Sequence, residues 1–238
     1  MSPIGSVGRS VRGRRLPDAI PDSAIHQYSM EITDGDTLID LIGDADLTEA
    51  ESGPQQVSNN FKGGVAVDFS GGGGYDRPVP SGLEQDGQYT FACTIEVFGI
   101  NNSTFDTVWM AQTDGEERTG SKLSSGGSDD FTVNMRPRNE RDDIVGFEAS
   151  FDTKYRMHYL VDGQNTSNSE IYGNLTKGTN PDSDNLNDET DETFQLGIEI
   201  NPNETPAHIN GIIDHVVVYD ELLDSNGREM DYDAQPWT

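Results

Sequence analysis

Asp182, Asp184 and Asp188 stand close together in one polar stretch, DSDNLND. Calcium takes hard carboxylate oxygens from loops as ligands, so this trio is where the sequence itself suggests a metal. The stretch is not an EF-hand, because Leu186 occupies a ligand position and the loop glycine is missing; a solvated acidic loop is the competing reading. His26, His158, His208 and His215 are scattered, with no HExxH pair, which argues against zinc. No G-x-S-x-G supports a nucleophilic serine. The Gly71–Gly74 run leads into YDRPVP rather than into a helix, so it is not a phosphate loop. Sugar recognition needs exposed aromatic rings beside Asn and Asp. Tyr75, Tyr172 and Trp237 lie in or next to loops and are the candidate glycan contacts, with packing at a rim as the alternative. Trp109 lies in a strand pattern and reads as core.

The medium for this chemistry is strongly acidic. Forty-three acids against 15 bases give 238 residues a net charge of −28 and a pI near 4.1. Such a surface repels nucleic acid and anionic lipid. The chain has 9 Phe, 8 Tyr and 2 Trp, so it reads as folded rather than disordered. Only four lysines occur, Lys62, Lys122, Lys154 and Lys177. Acidity with scarce lysine points to a halophilic protein, whose surface self-repulsion multimolar salt would screen. Arg9, Arg12, Arg14 and Arg15 fall in the first 15 residues, which hold no acid. Residues 1–25 therefore read as a basic, proline-broken arm for assembly, ahead of an acidic body at 26–238. Cys93 stands alone, so no internal disulfide can form, and no apolar run is long enough to span a membrane. After Arg15 comes LPDAIPD, not the apolar segment of a signal peptide; synthesis in the cytoplasm without a signal peptide is expected. Five Asn-x-Ser/Thr sequons follow from a composition rich in those residues.

Short turn-bounded runs dominate from His26 onward. In QYTFACTIEVFGI, Tyr89, Phe91, Cys93, Ile95 and Val97 alternate with Thr90, Ala92, Thr94 and Glu96, so one face of a strand is apolar. HQYSMEI, TLIDLIG, DTVWMAQT, DFTVNMRP, DIVGFEASF, YRMHYLVDG, TFQLGIEIN and GIIDHVVVYDELL are further strands. The polar segment from Glu116 to Asp130 reads as a long loop, and helical period appears only near Ser225–Tyr232. These features predict an all-β, two-sheet antiparallel sandwich.

The segment order resembles the concanavalin A-like jelly roll, in its laminin-G-like branch. The resemblance rests on TLIDLIGDADLT, on GVAVDFSG entering a glycine turn, on YTFACTIEVFG and on YRMHYLVDGQ. Its most specific motif is GIIDHVVVYDELL, with Asp214, Tyr219 and Leu223 in place; Tyr155 stands where a Trp is usual. The resemblance covers about residues 26–235 and implies a fold that hosts lectins, hydrolases and structural modules alike. Laminin-G-like domains often hold calcium at loop acids, which makes calcium the one cofactor to consider. Hydrolases of this superfamily carry E-x-D-x-x-E on a strand; the nearest match, Glu189-Thr190-Asp191-Glu192-Thr193-Phe194, lacks the final Glu. Glu148 and Asp152 are four apart and make no alternating pair. A non-enzymatic protein is therefore expected. The leading expectation is a structural or adhesion protein of a haloarchaeal virus particle, capsid-decorating, turret or tail-associated, with a lectin-like domain for host surface glycans. Its partners would be other virion subunits and further copies of itself, not nucleic acid or membrane, and its location the virion. The alternative is a carbohydrate-binding module of a halophilic archaeon.

Overall fold

The computed structural model describes residues 20–30, 33–34, 36–51, 53–58, 65–84, 86–100, 106–114, 117–125, 129–137, 144–179, 193–199 and 207–234. Arg9, Arg12, Arg14, Arg15, Asp182, Asp184, Asp188, Glu189, Asp191 and Trp237 lie outside them. In chain order the strands are β1 (Ala24–Tyr28), β2 (Thr33–Asp34), β3 (Thr37–Leu38), β4 (Leu47–Glu51), β5 (Gln55–Ser58), β6 (Val65–Asp68), β7 (Gly74–Arg77), β8 (Gln88–Val97), β9 (Asp106–Asp114) and β10 (Glu117–Ser125). They continue with β11 (Asp130–Arg136), β12 (Val145–Ser150), β13 (Lys154–Asp162), β14 (Glu170–Gly173), β15 (Thr176–Lys177), β16 (Phe194–Leu196), β17 (Ile198–Glu199), β18 (Ala207–His208) and β19 (Gly211–Tyr219), followed by helix α1 (Ser225–Asp233).

These strands form an all-β, jelly-roll sandwich of two antiparallel sheets, apart from β17 and β18, which pair with each other. One sheet runs β15-β14-β13-β8-β19-β6-β5, with β1 also paired to β19; the other runs β12-β11-β10-β9-β16-β7-β4-β3-β2. The alternation in β8 does what the sequence predicts: Tyr89, Phe91, Cys93, Ile95 and Val97 all join the core between the sheets. Its centre is aromatic. Phe91 stacks on Trp109 at 4.5 Å, and Tyr89 and Tyr159 meet the same indole edge-on. Trp109 thus links β8 and β13 to β9, across the gap between the sheets.

The stretch from Glu116 to Asp130 is not a long loop. Most of it is β10, laddered between β9 and β11. It has one strongly apolar residue, Leu123, which is buried in the core. The strand is specified by two neighbours that satisfy its backbone, not by its own hydrophobicity. TLIDLIG errs the other way: only Thr37–Leu38 is strand, and the rest folds around the side chain of Asp40. No described helix is long and apolar enough to cross a membrane.

Edge strand β12 is pinned to the opposite sheet by two glycines. A Cβ on Gly173 would lie 2.4 Å from the Phe147 ring, and one on Gly178 would lie 2.2 Å from the Gly146 carbonyl oxygen. Only glycine allows these approaches, and they fix the strand that borders the site described next.

Candidate functional site

The outward side of the second sheet is almost wholly polar, and strand register orders its residues into lines. Thr48, Asp76, Gln195, Met110, Gly120 and Arg136 follow one another across six strands. Thr107, Lys122, Asn134 and Gly146 form a second line, Ser124, Thr132 and Glu148 a third, and Asp130 and Ser150 a fourth. Only Met110 among them is a large apolar residue. The alternate positions on the same strands (Phe131, Val133, Met135, Phe147, Ala149) belong to the core. Period-two alternation has therefore produced one dry face and one hydrogen-bonding face. Arg136 and Lys122 are 1% and 3% exposed although they lie on the outward side, and both are engaged in further interactions.

At the end of this face lies an open groove of about 410 Å³, lined by Asp130, Phe131, Thr132, Glu148, Ala149 and Ser150. Phe131 and Ala149 point inward, so their backbone is the floor and the four polar side chains are the walls. The floor is fixed from beneath: Phe131 stacks on Phe151 at 5.1 Å, and the Ser150 amide donates to the Tyr155 hydroxyl at 3.1 Å. Ser150 donates its hydroxyl proton to Asp130 Oδ1 at 2.8 Å. Thr132, 7% exposed, stands opposite Glu148 across the strand pair. Such an arrangement can hydrogen-bond the hydroxyl groups of a ligand. Glu148 stands on the groove wall, whereas Asp152 sits in the following turn at φ +55°.

The sequence candidates fall elsewhere. Tyr75 is 5% exposed and packs edge-on against Phe69 at 6.1 Å, so its ring belongs to the core and cannot stack on a sugar. An alternating strand position took the ring inward, where a loop reading had left it out. Tyr172 is part-exposed on β14 of the other sheet. The Arg228 guanidinium covers its ring at 4.0 Å, and its hydroxyl donates to Glu170. Structure therefore separates Tyr75 from Tyr172. The groove residues carried a weak signal, the alternation in DFTVNMR and VGFEAS, which marks a polar face but not a site.

A second polar cluster is fully buried on the outward side of the first sheet, under α1. Asp231 accepts from Arg156 Nε and Nη2, both at 2.7 Å, and from His158 Nε2 at 2.8 Å; the Tyr219 hydroxyl donates to it as well. Arg156 also donates to the carbonyl of His215, which sits at φ +47° where the β19 register shifts. Burial penalises the Asp231 carboxylate, but Arg156 and His158 outweigh it and hold its pKa far below the usual carboxylate range. Burial holds His158 below the ordinary imidazole value, and burial with Arg156 pushes His215 down to about 4. The cluster is sealed from solvent and closes the fold rather than a ligand.

A third node joins β1 to two loops. Asp40 accepts from the amides of Gln27, Ile42, Gly43 and Ala45 and from His26 Nδ1 at 2.7 Å. His26 Nε2 faces the carbonyl oxygen of Ser81 at 2.9 Å. Both ring nitrogens face acceptors, an arrangement that the protonated ring satisfies by donating from both. Burial opposes that charge, but Asp40 and the Ser81 carbonyl win and raise the His26 pKa. Burial likewise opposes the carboxylate, and His26 with the amides brings Asp40 down to about 2.

No family model and no curated protein sequence matches the chain. Among solved structures it is similar to the sialidase of Trypanosoma rangeli in complex with sialic acid, at 14% identity and a TM-score of 0.61. That match covers 90% of this chain and 33% of the sialidase, so the chain spans about a third of the enzyme's length. It is also similar to domain 4 of AbnA, a GH43 extracellular arabinanase from Geobacillus stearothermophilus, in complex with arabinotriose; the identity is 17% and the TM-score 0.55, over 88% of this chain and 98% of that domain. At these identities the likeness is one of fold, that of a two-sheet, all-β jelly-roll sandwich.

Proposed function

We propose that this chain is a carbohydrate-binding module without enzymatic activity, and that the groove between β11 and β12 is where it holds sugar. The observation that carries this reading is the groove itself, of small-ligand size, with the polar side chains of Asp130, Thr132, Glu148 and Ser150 along its walls. Supporting it, the arabinanase domain of the same fold, matched over 98% of its length, holds arabinotriose. A glycan array probed with the full chain in multimolar salt tests it. Binding is expected, and Thr132→Ala or Glu148→Ala should each weaken it by roughly tenfold, the cost of one lost hydrogen bond in a desolvated contact, with the fold intact. Failure of every glycan to bind, or binding that both substitutions leave unchanged, refutes the site.

The setting we propose is the surface of a haloarchaeal virus particle, where such a module would serve as a structural and adhesion protein. Supporting this is the charge division between four arginines in the first 15 residues and the acidic body. Arginine offers a planar fork that carboxylates of a neighbouring copy can accept. Purified particles should contain the chain, and their lack of it would remove this setting while leaving sugar binding in place. The net charge of −28 further predicts loss of the β-type circular dichroism spectrum on dialysis to tens of millimolar salt. A retained spectrum with an unchanged melting temperature would contradict the halophilic reading.

A further inference from the structure

We propose that Asn165 is an acceptor for an N-linked glycan, and that Asn174, whose motif is equally complete, is not. The five Asn-x-Ser/Thr sequons begin at Asn101, Asn102, Asn165, Asn174 and Asn203. Of these, Asn165 and Asn174 fall among the described residues. In sequence the two are equivalent; in the fold they are not.

Asn174 occupies the turn between β14 and β15 at φ +47°. Both ends of its carboxamide are spent on backbone: Oδ1 accepts from the Arg156 amide at 2.8 Å, and Nδ2 donates to the Lys154 carbonyl at 3.2 Å. The nitrogen that would carry a sugar is therefore a turn-closing donor, and freeing it means breaking these bonds. Asn165 lies between β13 and β14, just before a single turn of 3-10 helix at Thr166–Asn168, and its side chain does not cap that turn. The segment is held by other groups: Asp162 Oδ1 accepts from the Gln164 and Asn165 amides, and the Asn168 amide donates to the Asn165 carbonyl. Asn165 and Ser167 are both exposed, and the Ser167 hydroxyl donates to Asn165 Oδ1 at 2.8 Å. Among the described residues none accepts from Asn165 Nδ2. The two side chains that define the sequon thus stand together on the surface, with the amide nitrogen free. The segment from Gly163 to Ser169, GQNTSNS, carries no charge in a chain of net charge −28.

The transfer is a displacement at an anomeric carbon. Asn165 Nδ2 attacks C1 of an oligosaccharide carried on a lipid phosphate. The C1–N bond forms as the C1–O bond to phosphate breaks, the phosphate leaves with that electron pair, and one Nδ2 proton passes to a base of the transferase. A free carboxamide can offer its nitrogen to this reaction, whereas one engaged at both ends must first leave its turn. The setting decides whether a copy of the chain meets a transferase, and the fold decides which asparagine is modified.

The folded full chain in multimolar salt, incubated with the oligosaccharide transferase of a halophilic archaeon and its lipid-linked donor, tests this. Cleavage after Glu170 separates the two sequons for mass spectrometry. An unfolded peptide spanning residues 157–177 is the reference and should be modified at both. In the folded chain Asn165 should be modified at least about tenfold faster than Asn174, the factor set by the hydrogen bonds that Asn174 must first break. Ser167→Ala should abolish the glycan at Asn165, and Thr176→Ala should leave it unchanged. Equal modification of both asparagines in the folded chain, or an unmodified Asn165 beside a modified reference peptide, overturns the proposal. Either result leaves sugar binding at the groove standing.

Discussion

Asp231→Ala should cost roughly 3–5 kcal/mol of folding stability, the penalty for removing one partner of a buried ion pair. The reason lies in how α1 is held. Its nine residues, SNGREMDYD, include Ser, Asn and Gly, and Asp231 is the single buried one. Asp224 caps the first turn by accepting from the Gly227 amide at 2.8 Å, and Leu223 just ahead packs on Ala92, Val217 and Tyr219. No apolar residue of α1 itself is buried, so the helix docks through a carboxylate that four donors converge on. Alanine at 231 would leave the Arg156 guanidinium buried with only the His215 carbonyl among these partners. Chemical denaturation in multimolar salt should show the loss. Because the pair is buried, the loss should change little with added salt. Met230→Ala, at 46% exposure one residue away, should stay within about 0.5 kcal/mol and serves as the control. An Asp231→Ala protein as stable as the parent would mean that α1 contributes nothing to the fold.

Asp40→Ala should be comparably costly, again on the order of 3–5 kcal/mol, because it strands the His26 imidazolium and four backbone amides together. The pair also sets a pH window. His26 has a raised pKa in the folded state, so its contribution is complete below its ordinary value of 6.5 and is lost as pH rises through the raised value. Asp40 has a lowered pKa, so its contribution is complete above its ordinary value of 3.8 and is lost as pH falls toward about 2. Both contributions are whole between about pH 4 and 6.5. Arg77 and Asp46 also act on this node, Arg77 opposing the proton on His26 and Asp46 adding negative charge near Tyr28. Melting temperatures measured from pH 3 to 9 should plateau in that window and fall on both sides. In Asp40→Ala the acid-side fall should shrink, and identical pH profiles for parent and variant would contradict the assignment.

The fold was readable because burial in a sandwich follows a period of two, which β8 keeps; β19 breaks it at His215, where the core positions step from Ile213 to Val216. Motif residues of the jelly-roll resemblance turn out to be structural devices. Asp214 accepts from the His215 amide where the β19 register shifts, Tyr219 donates to Asp231, and Leu223 packs beneath α1. Asp162 closes its Asp-Gly turn by accepting from the amides of Gln164 and Asn165. What escaped the sequence were pairings at long range. Arg156 and Asp231 are 75 residues apart, and His26 and Ser81 are 55 apart, and no local spacing announces either. β10 escaped because its stability comes from its neighbours. The groove escaped because a polar strand face looks the same in sequence whether it meets bulk water or a ligand. Tyr75 misled for the converse reason: a glycine turn beside it suggested a loop, while its own position pointed into the core.

The most direct test of sugar binding at this groove is a crystal structure of the chain, grown in multimolar salt, with the tightest-binding neutral oligosaccharide. The account predicts a sugar ring over the β11–β12 groove, with hydroxyls on Thr132, Glu148 and Asp130. A sugar seated instead on the Tyr172 side of the first sheet, with the groove empty, would contradict it.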